Sequence, residues 1–92
     1  MALLTEKQIV SALPSVHGWE RDGNKIIRIF VKEDFVQAMG FVQSVAFLAE
    51  KMDHHPDIDI RWNKVTLVLS THSAGGLTDK DFALASQINQ LK

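Results

Sequence analysis

The 92-residue sequence contains no cysteine. That absence excludes a disulfide framework, a thiolate zinc site and a cysteine nucleophile together. Clustered basic charge is also missing. Ten Lys and Arg stand against eleven Asp and Glu, for a formal net charge of -1, and no run of Lys or Arg appears anywhere. Without that electrostatic footprint, direct nucleic-acid binding is not expected. No apolar run approaches the roughly 18 residues of a membrane span. The opening residues Met1 to Glu6 carry no charged segment leading into a long apolar stretch, so a soluble, cytoplasmic protein with no membrane partner is expected.

Repeats, low-complexity tracts and long linkers are lacking too, which makes residues 1–92 one expected domain. So short a chain leaves much of its surface exposed, and association with a second copy would help its stability, so a homodimer or homotetramer is expected.

What is present follows a clear order. Thr5-Glu6-Lys7-Gln8 fits a capping box, and Ile9, Val10 and Leu13 supply the apolar stripe of a short first helix that Pro14 ends. Trp19 to Arg21, an Asp22-Gly23 turn and the β-branched run Ile26 to Val31 predict a hairpin. From Asp34, capped with Gln37, the apolar period changes to about 3.6. Phe35, Ala38, Met39, Val42, Val45, Ala46, Ala49 and Met52 then form one stripe, widened by Phe41 and Leu48.

Gly40 costs this long helix about 1 kcal/mol unless a neighbour needs the space. The helix should stop near Met52 or Asp53, because Pro56 drives His55 out of the α region. Asp57 to Trp62 and Val65 to Thr71 alternate with period two around Asn63-Lys64, a second hairpin. After a flexible connection, Ser73 to Gly76, Thr78 with Asp81 caps a last helix whose buried face is Phe82, Ala85, Ile88 and Leu91. The expected fold is α+β, in the order α-β-β-α-β-β-α. It is a four-stranded, mainly antiparallel sheet with three helices packed on one face.

Three of the four histidines fall between residues 54 and 72. With Asn63-Lys64 as the turn, Trp62 pairs with Val65, Ile60 with Leu67 and Ile58 with Leu69, and the ladder carried outward sets His55 opposite His72. Pro56 frays that ladder, so the expectation is proximity rather than strict pairing. The core face would hold Ile58, Ile60, Trp62, Val65, Leu67 and Leu69 against the long helix. Trp62 reads as core rather than as a stacking platform.

A helix C-terminus favours a cationic cap by about 0.3–1 kcal/mol, which accounts for one histidine of the His54-His55 pair but not for both with a third nearby. Histidine both gives and takes protons near neutral pH, so clustered imidazoles point to proton transfer. A zinc site from His54, His55, His72 and Asp53 or Asp57 is the competitor, but adjacent histidines rarely reach one centre and no H-x-x-x-H spacing exists. Glu50 either orients an imidazole, accepts a substrate N–H or is simply an exposed helix carboxylate. Asp53 has either neighbouring histidine as a partner, and Asp81 reads as the third residue of the Thr78 capping box, a role that does not exclude one in a site. His17, next to Gly18, reads as an ordinary loop residue.

The spacing of Glu50, His54-His55-Pro56, Trp62, His72 and Asp81 resembles the signature of the pterin-4a-carbinolamine dehydratases. Gly18-Trp19, Asp34-Phe35, Asn63-Lys64-Val65, Leu69 to His72 and Gly76-Leu77-Thr78 extend the likeness over nearly the whole chain. The resemblance implies a hydro-lyase that dehydrates a 4a-hydroxytetrahydropterin to the quinonoid dihydropterin in tetrahydropterin recycling, with neither metal nor organic cofactor. It assigns catalysis to His54, His55 and His72, with Glu50 and Asp81 binding or orienting the pterin substrate; Asp53, beside the histidines, is expected to join them in substrate binding. Some animal members also act as dimerisation partners of a homeodomain transcription factor, so a non-catalytic coactivator is the alternative. The sequence marks no partner-helix surface for that role.

Overall fold

The computed structural model describes residues 2–91. Helix α1 (Glu6–Ala12) begins with the expected capping box: the Thr5 hydroxyl accepts from the Gln8 amide at 3.2 Å, and the Gln8 side chain accepts from the Thr5 amide at 2.8 Å. Those bonds satisfy groups that a helix start leaves open. Pro14 does not stop the coil outright. It lies within a 3-10 turn, Leu13–Ser15, where a missing amide costs nothing because a first turn has no use for it.

Strands β1 (Glu20–Asp22) and β2 (Lys25–Val31) form the first hairpin. Its turn is one residue later than the sequence suggested, since Asp22 pairs with Lys25 and Gly23-Asn24 make the bend. Gly23 takes φ +60 there, the left-handed region that glycine enters without penalty.

Helix α2 (Phe35–Met52) starts where the Asp34 carboxylate accepts from the Gln37 amide at 2.8 Å. It ends because Asp53 turns left-handed, with φ 51 and ψ 45, and its amide returns to the carbonyls of Ala49 and Glu50. The fully buried line is Ala38, Phe41, Val45 and Ala49, with Val42, Leu48 and Met52 packed beside it. Phe35 and Met39, expected in that stripe, are exposed. At about 100° per residue they lie well round the helix from the buried line, beyond the sheet's reach. On the opposite side Val36 and Phe47 are 78% and 67% exposed, an apolar surface on α2 that the sequence reading did not find.

Strands β3 (Asp57–Arg61) and β4 (Lys64–Leu69) turn at Trp62-Asn63 rather than at Asn63-Lys64. Arg61 pairs with Lys64, Ile60 with Val65 and Ile58 with Leu67. The cause is visible in Asn63, whose side-chain amide donates to the Lys32 carbonyl at 2.9 Å while its own carbonyl accepts from the Lys32 amide at 2.8 Å. Tied to the end of β2, Asn63 has to sit in the bend. Each pairing is displaced by two positions, an even step that keeps Ile58 and Ile60 on the same face as Val65 and Leu67. Trp62 leaves that face, taking φ 51 in the turn, and is exposed, so it is not core.

The sheet order is β1-β2-β4-β3, antiparallel throughout. Ile26, Phe30, Val65, Leu67 and Leu69 from the central strands meet the helices in one core. As an edge strand, β3 lies beyond that cover, and Ile58 is consequently exposed instead of packed on α2. Helix α3 (Asp79–Asn89) closes the core with Phe82, Leu84, Ala85 and Ile88. The fold is therefore α+β in the order α-β-β-α-β-β-α. Among the described residues, no helix is long and apolar enough to cross a membrane.

Candidate active site

Two loops and a helix start meet at one end of the sheet. The left-handed Asp53 swings the chain off α2, and Pro56 holds His55 to an extended conformation, so that His54 and His55 are presented between α2 and β3. Across from them, Thr71 and Gly76 pair as an isolated bridge that closes the loop bearing His72, with Gly75 at φ +79 completing the turn. The start of α3 forms the third side. Asp53, His54, His55, Ser70, Thr71, His72, Ser73 and Lys80 line a cleft of about 400 Å³ between these loops.

Proximity of the three imidazoles is thus found, but the ladder that suggested it is not. Strand pairing stops at Asp57 and Val68, and His72 begins a 3-10 turn instead of continuing β4. His55 and His72 reach one cleft through loops and not as a cross-strand pair.

The imidazoles differ in their surroundings. His54 is 9% exposed, and its Nε2 lies 2.6 Å from Oδ1 of the fully buried Asp81. The other Asp81 oxygen accepts from the Thr71 hydroxyl at 2.8 Å and from the Thr78 amide at 2.9 Å. Asp81 therefore caps α3 and at the same time holds His54. An ionised carboxylate has only acceptors, so it accepts a hydrogen bond from His54 Nε2–H and leaves Nδ1 as that ring's uncommitted nitrogen. His55 is half-exposed, its Nε2 2.6 Å from Glu50 Oε1. Glu50 accordingly orients an imidazole, but that of His55, because the left-handed Asp53 breaks the helical spacing that would have aligned it with His54. His72 is exposed, and among the described residues its side chain makes no hydrogen bond.

Asp53 lines the cleft but pairs with neither neighbouring histidine among the described residues. His17 lies away from the cleft; among the described residues its carbonyl alone is engaged, accepting from Arg28 and Asn89. Among the described residues, no three His, Asp or Glu side chains converge as ligands of a metal ion.

Thr71, Ser70, Ser73 and Lys80 were not singled out from the sequence. Two signals could have drawn attention to them: a hydroxyl residue directly before His72, and a lysine in the first turn of a helix, where the dipole disfavours a cation. A larger recess of about 490 Å³ lies over β1 and β2, but it contains no imidazole. Its arginines are already engaged, Arg21 with Glu6 and Arg28 with the His17 carbonyl and Asn89. The histidine cleft is the better candidate for chemistry.

Comparison with known proteins points to one family. The family model described as "Pterin 4 alpha carbinolamine dehydratase" matches residues 2–91. A protein of Roseiflexus castenholzii, named "Putative pterin-4-alpha-carbinolamine dehydratase", is 57% identical over 98% of this chain and 97% of its own length. A protein of Mycobacteroides abscessus with the same name is 53% identical over 97% and 95%.

Among solved structures, one described as a "transcriptional coactivator/pterin dehydratase from Brucella Melitensis" superposes with a TM-score of 0.90 at 39% identity, covering 94% of each chain. A second, a pterin dehydratase-like protein identified as a RuBisCO assembly factor in the alpha-carboxysome, has a TM-score of 0.67 at 22% identity over 82% of this chain and 89% of its own. At that identity the likeness is one of fold. With a family match over almost every residue and close relatives of the same length, the chain belongs to the pterin-4-alpha-carbinolamine dehydratase family.

Proposed function

We propose that this chain, acting as one domain in the cytoplasm, dehydrates a 4a-hydroxytetrahydropterin to the quinonoid dihydropterin in tetrahydropterin recycling. One observation carries the reading: three imidazoles from separate parts of the chain line a single cleft of about 400 Å³. In the reaction the bond from C4a to its hydroxyl oxygen breaks. A proton reaches the departing hydroxyl, which leaves as water, and a ring nitrogen gives up a proton as its electron pair forms the new double bond to C4a. No net oxidation or reduction occurs, so one acid and one base suffice.

His55 and His72 are assigned to the two proton transfers, since both stand exposed at the cleft with a free ring nitrogen. His54, fixed by Asp81, is assigned to holding the pterin through its remaining nitrogen. Glu50 orients His55, and Asp53, at the wall, is available to a pterin N–H.

Stopped-flow measurement of carbinolamine dehydration tests this with the wild type and with His54→Ala, His55→Ala and His72→Ala. Positioned acid and base groups are worth about 10² to 10⁴ in rate, and losses of that order are expected for His55→Ala and His72→Ala. A wild type no faster than the uncatalysed reaction overturns the reading.

A second reading has its own support in the apolar, solvent-facing side of α2, with Val36, Met39 and Phe47. That surface suits association with a second copy of the chain, or the dimerisation-partner role of a coactivator. Association through α2 would survive loss of all three histidines, whereas dehydration would not. Sedimentation of the histidine variants separates the two.

A further inference from the structure

Beneath the cleft lies a chain of hydroxyl groups whose direction can be worked out. Thr78 Oγ1 accepts from the Lys80 amide at 3.3 Å and lies 2.8 Å from Thr71 Oγ1. Thr71 spends its own hydroxyl proton on Asp81 Oδ2 at 2.8 Å, because a carboxylate cannot donate in return. The proton between the two threonines therefore belongs to Thr78. The chain then runs one way: Thr78 donates to Thr71, Thr71 donates to Asp81, and His54 Nε2–H donates to the other oxygen of Asp81.

All of it is shielded from water, with Thr71 at 6% exposure and Thr78 and Asp81 at 0%. Hydrogen bonds in such surroundings are strengthened, and an unsatisfied member is costly. Thr71 has a second hold on the site through its backbone. Its amide donates to the Gly76 carbonyl at 2.8 Å, and its carbonyl accepts from the amides of Ala74 and Gly75 at 3.0 Å, closing the loop whose first residue is His72.

We propose that Thr71 is a positioning residue that holds His54 and His72 in register: its hydroxyl, through Asp81, fixes the ring and tautomer of His54, and its backbone sets the loop of His72. This rests on the dehydratase reading for its catalytic consequence but not for its structural content. Thr71 does not act on the substrate itself. Its part is to supply the second donor that leaves one Asp81 oxygen free for His54 alone. Without the Thr71 hydroxyl, Asp81 Oδ2 would keep only the Thr78 amide, the carboxylate could tilt about that one bond, and His54 would lose its defined orientation.

The experiment compares Thr71→Val, which replaces the hydroxyl by a methyl of similar size, with Thr71→Ser, which keeps it. Nitrogen-15 spectra of the histidine rings report which nitrogen of His54 carries the proton, independently of any catalysis. Thr71→Val should fold, show His54 as a mixture of tautomers, and lose between about 10- and 100-fold in kcat/KM, the scale of a small misplacement in a site, mainly through KM because His54 holds the pterin. Thr71→Ser should restore both the ring signature and the rate.

A wild-type ring signature in Thr71→Val overturns the proposal. If valine is not accepted in this buried position, Thr71→Ala removes the hydroxyl without adding bulk. If neither folds while Thr71→Ser does, the hydroxyl serves folding rather than register, and the proposal also fails. Should the wild type show no dehydration, the spectra alone still decide the role of Thr71.

Discussion

His54 Nε2 and Asp81 Oδ1 meet at 2.6 Å in the interior, and the two other groups bonded to that carboxylate, the Thr71 hydroxyl and the Thr78 amide, are buried with it. Removing one member of a buried, fully bonded set leaves its partners unsatisfied, at a cost of about 3–5 kcal/mol. Asp81→Ala should accordingly lower unfolding stability in urea by that order. Glu50→Ala breaks a bond of equal length at the surface, where such pairs contribute about 0–1 kcal/mol. Its effect should appear in the rate and hardly in the urea midpoint. Equal losses of stability in the two variants would mean that burial does not separate these pairs.

Much of this arrangement could be read in advance, and the parts that could not share a cause. Capping residues act over three or four positions, so Thr5 with Gln8, Asp34 with Gln37 and Thr78 with Asp81 mark their helix starts in the sequence. The hairpin turn at Trp62-Asn63 was misplaced because it is set by Asn63 bonding to Lys32, thirty-one positions away. Local spacing contains no trace of such a contact. Trp62 and Ile58 were misread for a related reason: alternation identifies a face, but not whether a helix covers that part of it.

The histidines were legible as a cluster because turns at both ends bring the segments together whatever the exact register. Thr71 was not legible, since a threonine is one among many until its partner Asp81 is in view.

Gly40 stands in the interior of α2, and a Cβ built on it meets nothing within 4 Å. The helix therefore carries the entropic cost of glycine without a contact in this chain that requires it. Gly40→Ala should stabilise the monomer by about 0.5–1 kcal/mol, seen as a higher urea midpoint. Gly40 shares the exposed side of α2 with Val36 and Phe47. A loss of stability that deepens with protein concentration would instead show that a second copy packs against this side and needs the space.

The Glu6–Arg21 ion pair bridges α1 and β1 at the surface. The hydrogen bond from Arg21, assisted by its charge, holds the Glu6 carboxyl below the ordinary range, while the same bond raises Arg21. A carboxyl depressed on folding contributes stability above its unfolded value, and the contribution is lost as pH falls through the folded one. The difference in urea midpoint between wild type and Glu6→Gln should therefore be present at about pH 7 and shrink as pH falls below the ordinary carboxylate range, through the lowered value of Glu6. It should shrink with added salt, because the groups are exposed. A difference that grows on acidification contradicts this assignment.

Lys80 presents the most informative substitution on the cleft wall. It occupies the first turn of α3, where a cation opposes the helix dipole at a cost of about 0.3–1 kcal/mol. It also has no ion-pair partner among the described residues. A side chain placed against the local field and facing a cleft with three imidazoles is best explained by what enters that cleft. A pterin bound there, as proposed, would offer a carbonyl oxygen, and a hydrogen bond from a charged donor is worth about 1.5–3 kcal/mol. Lys80→Met keeps the apolar stem and removes the donor. Its fold should be as stable as the wild type or more so, its kcat close to unchanged, and its KM for the carbinolamine raised roughly 10-fold or more, the signature of a group that binds ground and transition states alike. A fall in kcat at constant KM would instead move Lys80 from holding the substrate to taking part in the elimination.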